Sequence, residues 1–459
     1  MTTTALPSTR SHVATDAPPA RGHLGLIVLG ALAGGVALGL LLVLAVFGGG
    51  TESDVTGSAL LALGTGFLLV AGGARRFTSQ PQPWAVAPGV VTAVAGLAVV
   101  VLAPGDRALA HAGWVWPVVL VALVAWSVRG AHRSLHSWAR PALVYPALLV
   151  LAVVAVGGAA ETVREATESH PAPAGRTYAV NGHELYLHCL GTGSPTVVLF
   201  NGLGERTTSW AWIQPAVASA TRVCAFDRAG EGWSGNAAAP QDGHAMAADA
   251  HDLLRAAGVT PPYVLAGHSV GGTYALVYAA QYPREVAGIA LIDSSTPYQF
   301  ELGTYPGFYA MWRRASALLP TVARTGIARI TLGTGFGGLP ATARDDARRF
   351  AASPRELRSN NVEFAMLPTV FDQAKTLSSL GATPLAVVTA DVGSLPGWRA
   401  AQARLAALSS QSSQRIAHGA THAALLEDRR YAAISSDAIA GVVRAAAVTR
   451  LSGGAARRG

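Results

Sequence analysis

Five apolar runs, residues 24–47, 55–74, 84–103, 112–128 and 142–160, limit what the first third of this chain can become. Each is 17 to 24 residues long and contains no Asp, Glu, Lys or Arg. A helix needs about 20 such residues to cross a bilayer core of roughly 30 Å. With no water at that depth, the backbone must satisfy its own hydrogen bonds, so each run is expected to be helical. Five in succession predict an all-α transmembrane region rather than the buried helices of a water-soluble core. The composition agrees, with 13% charged residues against about 25% in ordinary soluble domains. Trp84, Trp114, Trp116 and Trp126 fall near run ends, where an aromatic belt would place them.

Basic residues alternate with the runs. Arg10 and Arg21 precede the first run, Arg75 and Arg76 follow the second, and Arg129, Arg133 and Arg140 separate the fourth from the fifth. The intervening loops carry Glu52 and Asp54, then Asp106 beside Arg107, and finally Glu161, Arg164, Glu165 and Glu168. The positive-inside rule then predicts a cytoplasmic arm at 1–23, a cell-membrane location and an extracytoplasmic C-terminal domain. The first run is too long for a cleaved signal peptide and lacks a clear cleavage site. With no charge at mid-membrane, the region reads as an anchor rather than a transporter. Gly30 with Gly34 and Gly35 with Gly39 have the spacing for close helix packing, expected here within one bundle. The formal net charge of +8 comes from arginines without interleaved aromatics, so nucleic acid is not the expected partner.

Residues 161–176 are polar and Pro-containing, which reads as a linker. Beyond them the pattern changes period. Short strand-like runs at 178–180, 184–189, 196–200, 222–226, 262–266, 288–292, 384–388 and 413–417 are separated by helical stretches such as 245–258 and 272–282. Strands alternating with helices predict a doubly wound, mostly parallel sheet. The run ending at Ala266 leads into Gly267-His268-Ser269-Val270-Gly271, after which a helix begins. A turn this tight requires small residues at 267 and 271 and holds the Ser269 hydroxyl out at the sheet edge. An oxyanion hole is expected from the N–H groups of Val270 and of Leu203, in the turn Asn201-Gly202-Leu203-Gly204 after the strand at 196–200.

With these motifs the chain resembles the α/β-hydrolase family over roughly its last 280 residues. Asn201 stands where the family commonly has His, which leaves the donated N–H intact. Asp227-Arg228-Ala229-Gly230-Glu231-Gly232-Trp233-Ser234 resembles the family's turn after an early strand, and accounts for those glycines better than nucleotide binding would. The resemblance implies a hydrolase domain at 177–446, a helical cap at 297–380 and a basic tail at 447–459. It also implies His422 as general base, in His418-Gly419-Ala420-Thr421-His422, with His418 a surface residue. Two acids remain open: Asp293, directly after the strand at 288–292, and Asp391, after the strand at 384–388. Asp293 is the adopted choice and Asp391 the alternative.

The expected chemistry is cleavage of a carboxylic ester by Ser269 through an acyl-enzyme, on a small-molecule or lipid-like substrate. Acyl transfer, a cofactor-free haloperoxidase-like activity and a non-catalytic binding module are the alternatives. No metal or cofactor is expected, and His244 and His251 read as solvated. Cys189 and Cys224 are read as two buried thiols, with a disulfide as the other possibility. Oligomeric state is not legible.

Overall fold

The computed structural model describes residues 23–168, 172, 174–332 and 335–456. Apart from His23, the expected N-terminal arm lies outside the described residues, as does the end of the basic tail, 457–459. The chain forms two compact units. Among the described residues, the first comprises 23–41, 57–101 and 118–153, and the second comprises 42–56, 102–117 and those from 154 to 456.

The apolar runs form α1 (His23–Leu41), α2 (Glu52–Phe77), α3 (Val86–Leu102), α4 (Asp106–Ala112), α5 (Trp116–Ser134) and α6 (Tyr145–Thr167). A π-helical turn extends α1 to Val46, and another leads into α6 from Arg140. The fourth run differs from expectation: α4 and α5 meet at 44°, so the apolar stretch is bent near its start. Among the described residues, five helices are long and apolar enough to cross a bilayer, four of them in this part of the chain, and the bent pair would make a sixth. Within the first unit, a Cβ on Gly35 would stand 2.8 Å from the Ala62 carbonyl, and one on Gly64 2.6 Å from the Ala93 nitrogen. Small residues thus let α1, α2 and α3 approach closely, which is packing within one bundle. The expected linker is shorter than read from composition, because Glu161–Thr167 continue α6.

The second unit contains an eight-stranded sheet in the order β1-β2-β4-β3-β5-β6-β7-β8. The strands are β1 (Arg176–Val180), β2 (His183–Leu190), β3 (Thr196–Phe200), β4 (Val223–Phe226), β5 (Tyr263–His268), β6 (Val286–Ile292), β7 (Leu385–Val392) and β8 (Ser412–Thr421). The first two are antiparallel to their neighbours and the rest are parallel. Side chains alternate across a strand, so β3 sends Val197 and Leu199 to one core and Val198 and Phe200 to the other. The helices α7 (Ile213–Ala218) and α16 (Arg429–Ala456) cover one face, and α8 (Gly243–Ala256) and α9 (Val270–Gln281) the other. The fifth long apolar helix, Arg429–Val448 of α16, packs on the sheet through Ile439 and Val442.

Between β6 and β7 stand α10 (Tyr305–Ala323), α11 (Ile327–Leu332), α12 (Ala341–Ala351) and α13 (Pro354–Ala374). They fall within residues 297–380, the range expected for a cap. The helices α14 (Trp398–Ala406) and α15 (Ala424–Glu427) follow β7 and β8.

The reading of two buried thiols is overturned. Cys189 on β2 faces Cys224 on β4 in register, their Cα atoms are 4.0 Å apart, and the sulfurs are bonded. Strand pairing placed them side by side across a separation of 35 residues that carries no such information. His251 also departs from expectation, since it stacks on Tyr282 at 4.1 Å and bonds to Glu285 at 3.1 Å.

Candidate active site

β5 ends at His268, α9 begins at Val270, and Ser269 alone makes the turn between them. Its φ of +55° is a strained value for a residue with a side chain. The turn holds because nothing larger than hydrogen fits behind it. A Cβ on Gly271 would lie 2.1 Å from the Phe200 carbonyl oxygen, and one on Gly267 would lie 2.4 Å from the Gly272 nitrogen. The helix is thereby pressed onto β3 and the turn that leaves it.

That turn is built from buried polar groups. The Asn201 amide donates to the Phe226 carbonyl at 2.7 Å, and its oxygen accepts from the Trp210 indole at 2.7 Å. Asn therefore anchors the turn from within the core. The Arg228 guanidinium donates to the carbonyls of Asn201 at 2.5 Å and Gly202 at 2.9 Å. With both carbonyls turned towards Arg228, Leu203 is carried to the cavity wall. Among the described residues, the N–H groups of Leu203 and Val270 donate to no protein acceptor. Val270 heads a helix, where free N–H groups favour developing negative charge.

A cavity of about 490 Å³ is lined by Ser269, Leu203, Val270, Asp293 and His422, with side chains of α10 and α13 above them. His422 follows β8 and its side chain is about half exposed. Its Nδ1 stands 2.7 Å from Asp293 Oδ2. Asp293 is buried, and its other oxygen accepts from Trp398 Nε1 at 2.8 Å and Ala390 N at 3.1 Å. Burial raises its pKa, but the hydrogen bonds and charge from His422, with Trp398 and Ala390, outweigh this and hold it below the ordinary value. Asp391 lies elsewhere: it accepts from His418 at 3.0 Å and from Gly419 N at 2.7 Å, with the His418 side chain 79% exposed. Each candidate acid thus faces a different histidine, and only Asp293 lines the cavity.

A second pair behind the turn escaped the sequence reading. His268 Nδ1 stands 2.5 Å from Glu205, and its Nε2 donates to the His422 carbonyl at 3.1 Å. The other Glu205 oxygen accepts from Gly202 N at 2.5 Å. Burial disfavours both charges, but each partner more than offsets it, lowering the Glu205 pKa and raising that of His268. The pair joins the turn after β3, the elbow and the backbone of His422. The visible signal was a histidine directly before the elbow serine and an acid two residues beyond Leu203; their separation of 63 positions hid the contact.

Residues 195–328 match a family model described as the alpha/beta hydrolase fold. A protein from Pseudomonas aeruginosa, provisionally assigned as an epoxide hydrolase, superposes with a TM-score of 0.50 at 18% identity, covering 60% of this chain and 97% of that one. A thermophilic esterase from Thermogutta terrifontis superposes with a TM-score of 0.46 at 24% identity, covering 60% and 99%. The second unit therefore has the α/β-hydrolase fold, with a mixed sheet. In sequence, the dihydrolipoyllysine-residue acetyltransferase component of an acetoin cleaving system from Pseudomonas putida is 31% identical over 198 residues, 40% of this chain and 53% of the relative. An uncharacterized protein from Schizosaccharomyces pombe is 38% identical over 84 residues, 18% and 16% of the two chains. Such curated relatives are matched over about half their length or less.

Proposed function

We propose that this protein is a membrane-anchored serine hydrolase that cleaves a carboxylic ester through an acyl-enzyme. The observation that carries this reading is the buried Asp293 carboxylate on His422 Nδ1, beside the strained Ser269 and two unpaired N–H groups in one cavity. His422 Nε2 takes the Ser269 proton as Oγ attacks the carbonyl carbon, and the N–H groups of Leu203 and Val270 hold the oxyanion. Collapse expels the alcohol, which receives the proton from His422. Water, deprotonated by the same imidazole, then releases the acid. Branches of this fold that open epoxides or displace halide attack with Asp, and Ser269 speaks against both.

The proposed topology puts the N-terminus in the cytoplasm and the hydrolase outside, on an anchor of five spans. It gains support from the second unit, where Glu52, Asp106 and Glu161, which follow the first, third and fifth runs, all pair with cap arginines. Loops after odd-numbered spans belong on the side opposite the N-terminus.

A fluorophosphonate probe is expected to label the wild-type protein and not Ser269→Ala; a folded wild-type protein that resists the probe rules the reading out. Intact cells should cleave a membrane-impermeant ester, and activity appearing only after lysis would reverse the topology. Acyl transfer to an alcohol would use the same groups and gives an ester product instead of an acid.

The Glu205–His268 pair supplies a further expected result. Glu205→Gln keeps the side-chain shape but removes the charge that holds His268 as a double donor. Turnover should fall by about 10- to 100-fold, with KM little changed, because geometry errors near 1 Å at reacting groups carry losses of that order. A loss confined to KM would mean that the pair acts on binding instead.

A further inference from the structure

The cap of the second unit is fastened to the segments where the apolar helices end. Arg324, at the end of α10, pairs with Glu52 and with Asp106 at 2.9 Å. Arg358 on α13 reaches Glu52 at 3.2 Å, and Arg329 on α11 reaches Glu161 at 2.7 Å. Asn361 donates to the Gly50 carbonyl at 3.2 Å, and Thr321 meets Thr56 at 2.9 Å. Arg313 and Arg314 lie against Gly49 and Gly48. In the topology proposed above, those partners are loop residues and helix ends at the membrane surface, so one side of the cap rests at the level of the lipid headgroups.

The mouth of the cavity is on that same helix. Phe308 and Trp312 line the cavity and are also 39% and 43% exposed, with ring centroids 6.1 Å apart. Met311, 58% exposed, lies on the same helix beside them and does not line the cavity. Arg313 and Arg314 follow directly, within one 5.4 Å helical turn of the mouth. An apolar rim one turn from the headgroup level is placed to meet acyl chains rather than water.

The interior fits the same ligand. Tyr305, Leu319, Phe364 and Leu367 give an apolar wall, and among the described residues no Lys or Arg lines the cavity. A phosphate or free carboxylate would find no cation there, which favours a neutral ester. At about 490 Å³ the cavity falls within the roughly 300–1,000 Å³ usual for sites that bury most of a small-molecule ligand, which leaves room for an acyl chain.

We infer that the substrate is a neutral long-chain acyl ester resident in the bilayer, of the monoacylglycerol kind, which enters the cavity between Phe308 and Trp312 without leaving the membrane surface. This rests on the serine-hydrolase reading and its topology. The test uses the full chain reconstituted in phosphatidylcholine vesicles, with monooleoylglycerol in the bilayer as one substrate and a water-soluble butyrate ester as the other. Met311→Asp places a charge on the rim outside the cavity. It should lower cleavage of the vesicle substrate at least tenfold and leave the butyrate rate within twofold, while Met311→Leu retains both.

Equal effects of Met311→Asp on both substrates, or no effect on either, overturn the inference. So does a probe-labelled wild-type enzyme that cleaves butyrate and not the vesicle ester, and in that case the hydrolase reading stands. Protein that is neither labelled nor active on either substrate removes the hydrolase reading and this inference with it.

Discussion

Asp293→Asn is expected to reduce turnover about 10⁴-fold, while Asp391→Asn stays within about twofold of wild type. The first effect follows from how the Asp293 oxygens are used. Oδ1 accepts from both Trp398 Nε1 and Ala390 N, so an asparagine at 293 must keep its oxygen there. Its NH₂ group then points at His422 Nδ1, which becomes an acceptor, and the ring proton moves to Nε2. That tautomer cannot take the proton of Ser269. Where the same exchange in a serine protease leaves the geometry intact and fixes the wrong tautomer, the loss is about 10⁴ in turnover. Asp391 faces a histidine that is 79% exposed, and surface pairs of this kind contribute little. Steady-state turnover of the two variants on any cleaved ester checks both statements. If Asp391→Asn were the inactive variant, the assignment of the acid would be wrong.

The second large effect is expected at Arg228, a residue that does not line the cavity. Its guanidinium is buried, donates to Glu231 at 2.8 Å and Glu363 at 2.9 Å, and holds the Asn201 and Gly202 carbonyls. Burial, and then the neighbouring Glu363, push the Glu231 pKa well up despite the attraction of Arg228, so the two carboxyls share the environment of one cation. Arg228→Met leaves them in the core with no positive partner. Breaking a buried pair in this way costs about 3–5 kcal/mol, read as a lower denaturant midpoint. The variant should also lose turnover beyond its loss of folded protein, because the carbonyls that orient the Leu203 N–H are no longer held. A midpoint and turnover both close to wild type would show that the carbonyls are fixed by other contacts.

Much of this architecture is local and therefore legible in the chain. Apolar runs of bilayer length, a change from helical to alternating period, and glycines around a serine between strand and helix are all carried by neighbouring residues. The strands were found to within a few residues because each is a short block bounded by turn residues. The bend between α4 and α5 was not visible, since both sides of it are equally apolar. The continuation of α6 through Glu161–Thr167 was missed because polar residues end an apolar run without ending a helix.

What the sequence by itself determined was the kind of fold and the location of Ser269, His422 and the two turns beside them, all properties of short segments. Tertiary structure alone decided which carboxylate faces His422, because Asp293 directly follows β6, Asp391 lies at the end of the adjacent parallel β7, and the order of residues does not choose between them until β8 is placed. It also decided the Cys189–Cys224 bond, through the register of β2 on β4, and brought Glu205 to His268. The same holds for the arginines of α10, α11 and α13 and the acidic residues near the ends of the apolar helices, which pair across separations of 168 to 306 positions. Contacts of this kind depend on distance in space, and over such separations the order of residues carries no measure of it.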